Sequence, residues 1–130
     1  MKYSSIIWVV ATLVSFSACS KPTQQTVMEL HASSVELGNQ TSKLLEQLIQ
    51  QRNSINVQGR TLTAAEIAFS DSVSALELPL AIWMADITKV NQLEKGKERL
   101  ASEQSLHDAI HVLQKKAKAL ADKKVNPSDN

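Results

Sequence analysis

Residues 63–90, TAAEIAFSDSVSALELPLAIWMADITKV, carry the clearest helix signals in this sequence. Thr63 and Glu66 stand at the spacing of a capping box, in which each side chain bonds the backbone of the other residue. Large apolar residues then recur in alternating steps of four and three, the spacing of one helix face. We therefore predict one helix that starts at Thr63, bends at Pro79 and ends near Gly96. Its predicted core stripe is Phe69, Val73, Leu76, Leu80, Trp83, Ile87 and Val90.

The segments on either side show the same periodicity and predict two more helices. The first covers about residues 25–57 and ends near Gly59. Gly38 inside it is a poor helix former and lowers helix stability by about 1 kcal/mol relative to Ala. The third covers about residues 98–124. Three glycines and three prolines in 130 residues leave little material for turn-rich β-folds. We predict an all-α fold: an antiparallel up-down-up three-helix bundle, with a coiled-coil-like hairpin that oligomerises as the alternative.

The helix over residues 63–90 also has a second apolar stripe, roughly opposite the first. No Lys or Arg occurs between Thr61 and Thr88. One interpretation is that this helix lies between the other two, which would bury both stripes. The other is that the second stripe is exposed and binds a protein partner or a second copy, with Trp83 anchoring the helix in the core. The candidate interaction face is Ala75, Leu78, Ile82 and Ala85.

The N-terminal region predicts a cleaved signal peptide over residues 1–18. Lys2 provides the charged start, residues 6–16 are a largely apolar run of eleven, and small residues follow. Residues 16–19 (FSAC) resemble the bacterial lipobox, in which the cysteine is lipidated and becomes the mature N-terminus. Because Cys19 is the only cysteine, no internal disulfide can form, and lipidation gives this lone exported cysteine a role.

These signals predict the organisation of the whole chain. The lipobox resemblance implies attachment to the bacterial cell envelope. Since Ser20 replaces the Asp that often retains lipoproteins in the inner membrane, we favour the outer membrane, with the domain in the periplasm. The predicted parts are the signal peptide at 1–18, the lipidated cysteine and polar tether at 19–26, the helical domain at 27–124 and a disordered tail at 125–130.

Histidines offer the one candidate metal site. His107 and His111 are four residues apart and would share one face of a helix, as chelating histidines do. His31 could lie at a similar height if the first and third helices run parallel. The simpler interpretation is surface histidines beside a core stripe, because two imidazoles make only half a metal site.

Other functions find little support in the sequence. Loss of Lys2 with the signal peptide would leave 13 basic side chains, one fewer than the chain's 14, against 13 acidic ones. This balance argues against nucleic-acid binding. There is no Gly-x-Ser-x-Gly turn and no glycine-rich phosphate loop, so we predict neither an enzyme nor a cofactor. We interpret one basic run as the solvated end of a helix, with anionic lipid or an acidic partner as the alternative. That run is Lys115, Lys116, Lys118, Lys123 and Lys124.

Two short stretches carry a family resemblance. Residues 27–31 (VMELH) and 82–84 (IWM) resemble signature stretches of small helical lipoproteins of Bacteroidota, some of which are labelled viral A-type inclusion protein. The resemblance implies a helical fold and an envelope location, and it carries no activity. We therefore predict a membrane-anchored, non-enzymatic helical module for structure or protein interaction. The alternative is a periplasmic metal-binding or metal-sensing helical protein.

Overall fold

A computed structural model describes residues 24–94 and 96–123, and in this part of the chain three helices are joined by short loops, without strands. Its three helices are α1 (Gln24–Asn56), α2 (Ala64–Val90) and α3 (Lys97–Ala121). Each helix packs against the other two, which confirms a helical bundle. The predicted signal peptide, Cys19 and the C-terminal tail lie outside the described residues.

The helix ends lie within a few residues of the predicted ones, except for the end of α2. This helix stops at Val90, with Asn91 as its C-cap, and not near Gly96. Its last carbonyls are satisfied in a tight turn, in which the N–H of Gln92 donates to the carbonyl of Lys89 at 2.9 Å. Gly96 instead precedes α3 as its N-cap residue. α2 continues through Pro79 as one helix, as predicted.

The loop between α1 and α2 begins earlier than the predicted stop. α1 ends at Asn56, and the N–H of Val57 still donates to the carbonyl of Asn53 at 3.1 Å. Gly59 lies two residues further on, with a φ of 65°. This left-handed conformation favours glycine, so Gly59 allows the chain to turn within the loop and does not itself cap the helix.

The hydrophobic core is built on the predicted stripe of α2, all seven residues of which are buried. Burial of a large apolar side chain contributes about 1.5–3 kcal/mol, so this stripe is a principal source of stability. The other helices supply the remaining buried residues of the central apolar cluster. Those residues are Leu45 and Leu48 of α1, and Ile110, Leu113 and Ala117 of α3.

Two polar residues lie on the buried face of α1. Ser34 and Thr41 are 0% and 3% exposed. Their hydroxyls donate to the carbonyls of Leu30 and Leu37, one turn earlier, at 2.9 and 2.7 Å. Because these bonds satisfy the hydroxyls within α1 itself, polar residues at these positions do not interrupt the core.

Side-chain contacts between the helices show the order in which their residues meet. Between α1 and α3, His31 contacts Glu103 and Gln40 contacts Gln114, so residue numbers rise together along the two helices. Between α1 and α2 the order is reversed. There, Ser42 contacts Met84 and Arg52 contacts Ser74.

Candidate interaction face

α2 has two apolar stripes, and the structure buries only one of them. On the second stripe, Leu78 and Ile82 are 67% and 52% exposed, and Ala75 and Ala85 are also exposed. The interpretation that α2 is covered on both sides is therefore wrong for this chain on its own. The physical reason is that α1 and α3 pack most extensively against each other, so α2 covers one side of that pair and does not lie between its members.

The exposed residues form one surface because residues three and four apart are neighbours on a helix. Ala75, Leu78, Ile82 and Ala85 follow steps of three, four and three along α2. Beside them, Met84 is 51% exposed, and the hydroxyl of Ser42 on α1 lies 3.9 Å from its sulfur. We call Ala75, Leu78, Ile82 and Ala85 the exposed face of α2.

The orientation of α2 is fixed in part by Trp83, the predicted core anchor, which is 5% exposed. Its indole Nε1 donates a hydrogen bond of 2.7 Å to the carbonyl of Leu106 in α3. Its ring packs against Gly38 of α1, where a methyl group would lie 2.5 Å from Cη2 of the ring. Trp83 thus links α2 to both other helices, and Gly38 is a close-packing position as well as a poor helix former.

The start of α2 is fixed by the predicted capping box. The N–H of Glu66 donates to the hydroxyl oxygen of Thr63 at 3.3 Å, and the N–H of Thr63 donates to the Glu66 carboxylate at 2.8 Å. Arg60 adds two further hydrogen bonds to the same carboxylate, one of 2.9 Å. These bonds, first that of Arg60 and then that of Thr63, lower the pKa of Glu66 to about 2. The pairing with Glu66 in turn raises the pKa of Arg60.

Arg60 was not predicted as a partner of Glu66, although the sequence held one hint that Glu66 is buried. Glu66 precedes Phe69 by three residues and therefore extends the core stripe of α2 by one step. It is 1% exposed in the structure. A carboxylate in such a position needs a cationic or hydrogen-bonding partner, and Arg60 in the preceding loop supplies it.

A second ion pair lies beside the exposed face. Nη1 of Arg52, on α1, donates to a carboxylate oxygen of Glu77 and to the hydroxyl of Ser74 at 2.9 Å. Arg52 therefore supplies positive charge to the part of α2 that has no basic residue of its own. The pair also ties the middle of α2 to α1.

The third charged cluster is buried at the opposite end of α2. Glu103 of α3 is fully buried and accepts from Nδ1 of His31 at 2.9 and 3.1 Å. Nε of Arg99 lies 3.5 Å from Glu103, and its Nη2 donates to Asn91, the C-cap of α2, at 3.1 Å. The cluster thus joins all three helices.

Sequence reasoning missed this cluster, although the spacing contains a signal for it. The buried stripe of α3 can be followed towards the N-terminus in steps of three and four, which reach Glu103 and then Arg99. Charged side chains at such positions suggest a surface, so only the structure reveals that they are buried together. His31, predicted as a metal ligand, is instead bonded to Glu103.

The other two histidines come together as predicted, in a different chemical setting. The rings of His107 and His111 meet edge to face with centroids 4.6 Å apart, and Nε2 of His107 lies 3.4 Å from the hydroxyl of Ser33. Within residues 24–94 and 96–123, no group of three His, Cys, Asp or Glu side chains is arranged to hold a metal ion. The predicted three-histidine set is therefore not assembled there.

By length and composition alone, α2 is the one helix in the described part of the chain that could cross a membrane. The core helices of soluble proteins pass the same test. Because α2 buries a complete stripe against α1 and α3, we interpret it as a core helix with an additional exposed apolar face. Comparison with family models, with curated proteins and with solved structures finds no match for this chain.

Proposed function

We propose that this protein is a lipid-anchored module of the bacterial periplasm that works by protein–protein contact through the exposed face of α2. The observation that carries the proposal is the exposure of Leu78 and Ile82 on a helix whose other stripe is fully used in the core. A contiguous apolar surface of this kind marks binding sites on soluble domains. The helix that carries this face is tied to α3 by Trp83, to α1 by the Arg52–Glu77 pair and to the preceding loop by the Arg60–Glu66 pair.

The proposed architecture is an up-down-up bundle, in which α2 runs antiparallel to α1 and α3. The rising order of the pairs His31–Glu103 and Gln40–Gln114 supports parallel α1 and α3. The reversed order of Ser42–Met84 and Arg52–Ser74 supports an antiparallel α2. In this arrangement the start of α1 and the end of α2 lie at the same end of the bundle.

The proposed anchor places this end close to a membrane. Cys19 is five residues before Gln24, the first residue of α1. Even a fully extended chain of that length spans only about 17 Å. The lipobox-like residues 16–19 support lipidation of Cys19, and the resemblance of residues 27–31 and 82–84 supports a bacterial envelope lipoprotein. With Ser20 after the cysteine, we place the anchor in the outer membrane.

The anchor is tested by labelling cells with radioactive palmitate. Wild-type protein is expected to take up label and to fractionate with membranes. Cys19→Ala is expected to lose both properties, whereas Ser17→Ala keeps the small residue and the cysteine and serves as the matched control. Label that persists in Cys19→Ala, or a wild type without label, would refute the lipid anchor.

The interaction face is tested by photo-crosslinking in living cells. A photoreactive residue at position 78 or 82 is expected to give discrete crosslinked species. The same residue at position 43, which is exposed on α1, is the control for random collisions. If positions 78 and 82 give no more product than position 43, the face does not bind protein and the proposed function fails.

A further inference from the structure

The exposed side of α2 extends beyond its four apolar residues to a charged residue at each end. Asp71 lies four residues before Ala75, and Lys89 lies four residues after Ala85. Both are exposed, and Lys89 is 75% exposed. The extended row has steps of four, three, four, three and four, which are the same in both directions. Its members are Asp71, Ala75, Leu78, Ile82, Ala85 and Lys89.

This symmetry has a direct geometric consequence for two copies of α2. When one copy is reversed about the level of residue 80, every position of the row meets another position of the row. Leu78 then faces Ile82 of the second copy, and Ala75 faces Ala85 of the second copy. At both ends Asp71 faces Lys89 of the second copy. The row is therefore complementary to its own reverse in size, in hydrophobicity and in charge.

We propose that the occupant of the exposed face is a second copy of this chain, docked antiparallel through α2 with a two-fold axis at the level of residue 80. This inference rests on the proposed function and deepens it by naming the partner. A two-fold contact of this kind uses the same patch on both subunits, which is the commonest symmetry of protein dimers.

Charge decides the direction of pairing. In a parallel pair in register, Asp71 would face Asp71 and Lys89 would face Lys89, so both ends would repel. In the antiparallel pair both ends attract, because opposite charges meet twice. Lys89 also lies 3.4 Å from Asp86 within its own helix, but its high exposure leaves it free to reach across.

Three residues that flank the row, Pro79, Ala81 and Glu77, do not hinder the approach of a second copy. Pro79 and Ala81 are exposed next to the centre, and neither carries a charge that would meet its own copy. Glu77 is bonded to Arg52 of its own chain, which compensates its charge. Ala75 and Ala85 have the smallest side chains of the row, so the two helices can approach to about 8–10 Å, the ordinary distance of packed helices.

The size of the contact predicts a weak dimer that depends on concentration. The row covers 19 residues, from 71 to 89, or about 27 Å of helix. A single helix pair of this length is small beside standard stable interfaces, which bury about 1,200–2,000 Å². In the antiparallel pair the two lipid-anchored ends lie at opposite ends of the dimer, so we expect the dimer to lie with its helices along the membrane surface. Confinement of both copies to that surface raises their effective concentration, so dimers are expected on membranes before they appear in dilute solution.

Disulfide crosslinking between two differently tagged chains distinguishes the two directions of pairing. Ala75→Cys and Ala85→Cys are co-expressed as full-length chains, and membranes are mildly oxidised. In the antiparallel dimer the two positions face each other, so the mixture is expected to give a heterotypic disulfide. Each variant alone is expected to give about tenfold less dimer. Its two cysteines would be ten residues apart along the helix, or about 15 Å, beyond the roughly 7 Å that a disulfide spans.

A wild-type control and the photo-crosslinking from position 78 keep failure of this inference separate from failure of the proposed function. Wild type, with Cys19 as its only cysteine, is expected to give no disulfide dimer, because the lipid occupies the thiol. A wild-type disulfide dimer would refute the anchor, while the excess of heterotypic over homotypic product would still decide the pairing. Foreign adducts from position 78 without any heterotypic disulfide would keep the interaction face and overturn the second copy as its occupant.

Charge exchange tests the pairing of Asp71 with Lys89. In the crosslinking mixture, Asp71→Lys is expected to reduce the heterotypic product about three- to tenfold, as the loss of two exposed ion pairs implies. Combining it with Lys89→Asp is expected to restore the product. Homotypic product equal to the heterotypic product would overturn the antiparallel direction. An unchanged yield in Asp71→Lys, or no restoration in the double variant, would overturn this charge pairing.

Discussion

The ring of Trp83 occupies the space that a side chain at position 38 would need. A methyl group added to Gly38 would lie 2.5 Å from Cη2 of the indole, closer than carbon atoms pack in proteins. The indole cannot easily retreat, since its Nε1 is bonded to the carbonyl of Leu106. Gly38 therefore allows α1 to approach α2 at the residue that anchors α2 in the core.

Replacement of Gly38 by Ala is consequently expected to destabilise the protein. Helix propensity alone would favour Ala by about 1 kcal/mol. The clash with Trp83 opposes this, since overpacking a core costs about 1–3 kcal/mol. Unfolding by urea, followed by circular dichroism, is expected to give a net loss of about 1 kcal/mol.

The matched control for Gly38→Ala is Gly96→Ala. A methyl group at Gly96 would meet nothing within 4 Å, and the φ of 174° is extended backbone that any residue adopts. This variant is expected to change the free energy of unfolding by no more than about 0.5 kcal/mol. If Gly38→Ala proved more stable than wild type, the contact with Trp83 would not be as close as described.

The buried carboxylate of Glu103 gives the second prediction. Glu103→Ala removes the acceptor of His31 and the ionic partner of Arg99, which is itself only 7% exposed. Loss of one partner from a buried ion pair costs about 3–5 kcal/mol, because the other charge remains buried alone. Chemical denaturation is expected to show a loss of this size.

A double replacement tests that reason. Arg99→Met combined with Glu103→Leu removes both charges and is expected to be more stable than Glu103→Ala, since no buried charge is left unpaired. Glu98→Ala, an exposed carboxylate in the first turn of α3, is the control for losing a negative charge. A Glu98→Ala variant as destabilised as Glu103→Ala would contradict the role of burial.

These charged clusters mark the limit of what the sequence predicted. The steps of three and four predicted all three helices and the whole core stripe of α2, because periodic burial of apolar residues is a property of the local sequence. The capping box at Thr63 and Glu66 was also predictable, because its two residues stand three apart in the sequence. The partner of Glu66 was not, because Arg60 reaches it from a loop whose conformation no periodic pattern describes.

The exposure of the second stripe of α2 could not be predicted from the sequence either. A helix that is apolar nearly all round has the same pattern whether it is covered on two sides or on one. The outcome depends on α1 and α3 packing against each other, which is a tertiary contact. The histidines followed the same rule: the local pair His107 and His111 met as predicted, whereas distant His31 went to Glu103.

The pH dependence of stability gives the third prediction. The folded protein holds the pKa of Glu66 at about 2, below its ordinary value of 4.5. A carboxylate whose pKa is lowered by folding stabilises the protein above its unfolded pKa, and that contribution is lost as the pH falls. Between about pH 4.5 and 2, wild type is therefore expected to lose stability progressively.

Glu66→Gln isolates this contribution. The amide keeps the shape of the carboxylate but does not titrate in this range, so its stability is expected to fall less steeply between about pH 4.5 and 2. Thermal melts at half-unit intervals of pH measure the two slopes. Glu46→Gln, an exposed carboxylate on α1 outside both stripes of α2, is the control and is expected to follow wild type. Equal slopes for Glu66→Gln and wild type would show that the pair with Arg60 does not act through titration.

The two stripes of α2 predict opposite consequences for the same chemical change. Leu78 is 67% exposed, so Leu78→Asp buries no charge and is expected to leave helicity and melting temperature nearly unchanged while association through the face is lost. Ile82→Asp is expected to behave alike at 52% exposure. Leu76→Asp, two residues from position 78 but in the core, is expected to unfold the domain, because an unpaired buried charge costs several kcal/mol.

Circular dichroism measures the helicity of the three variants, and crosslinking in membranes measures their association, so the two methods together separate these outcomes. If Leu78→Asp and Ile82→Asp both kept wild-type association, the exposed face would not be the binding surface.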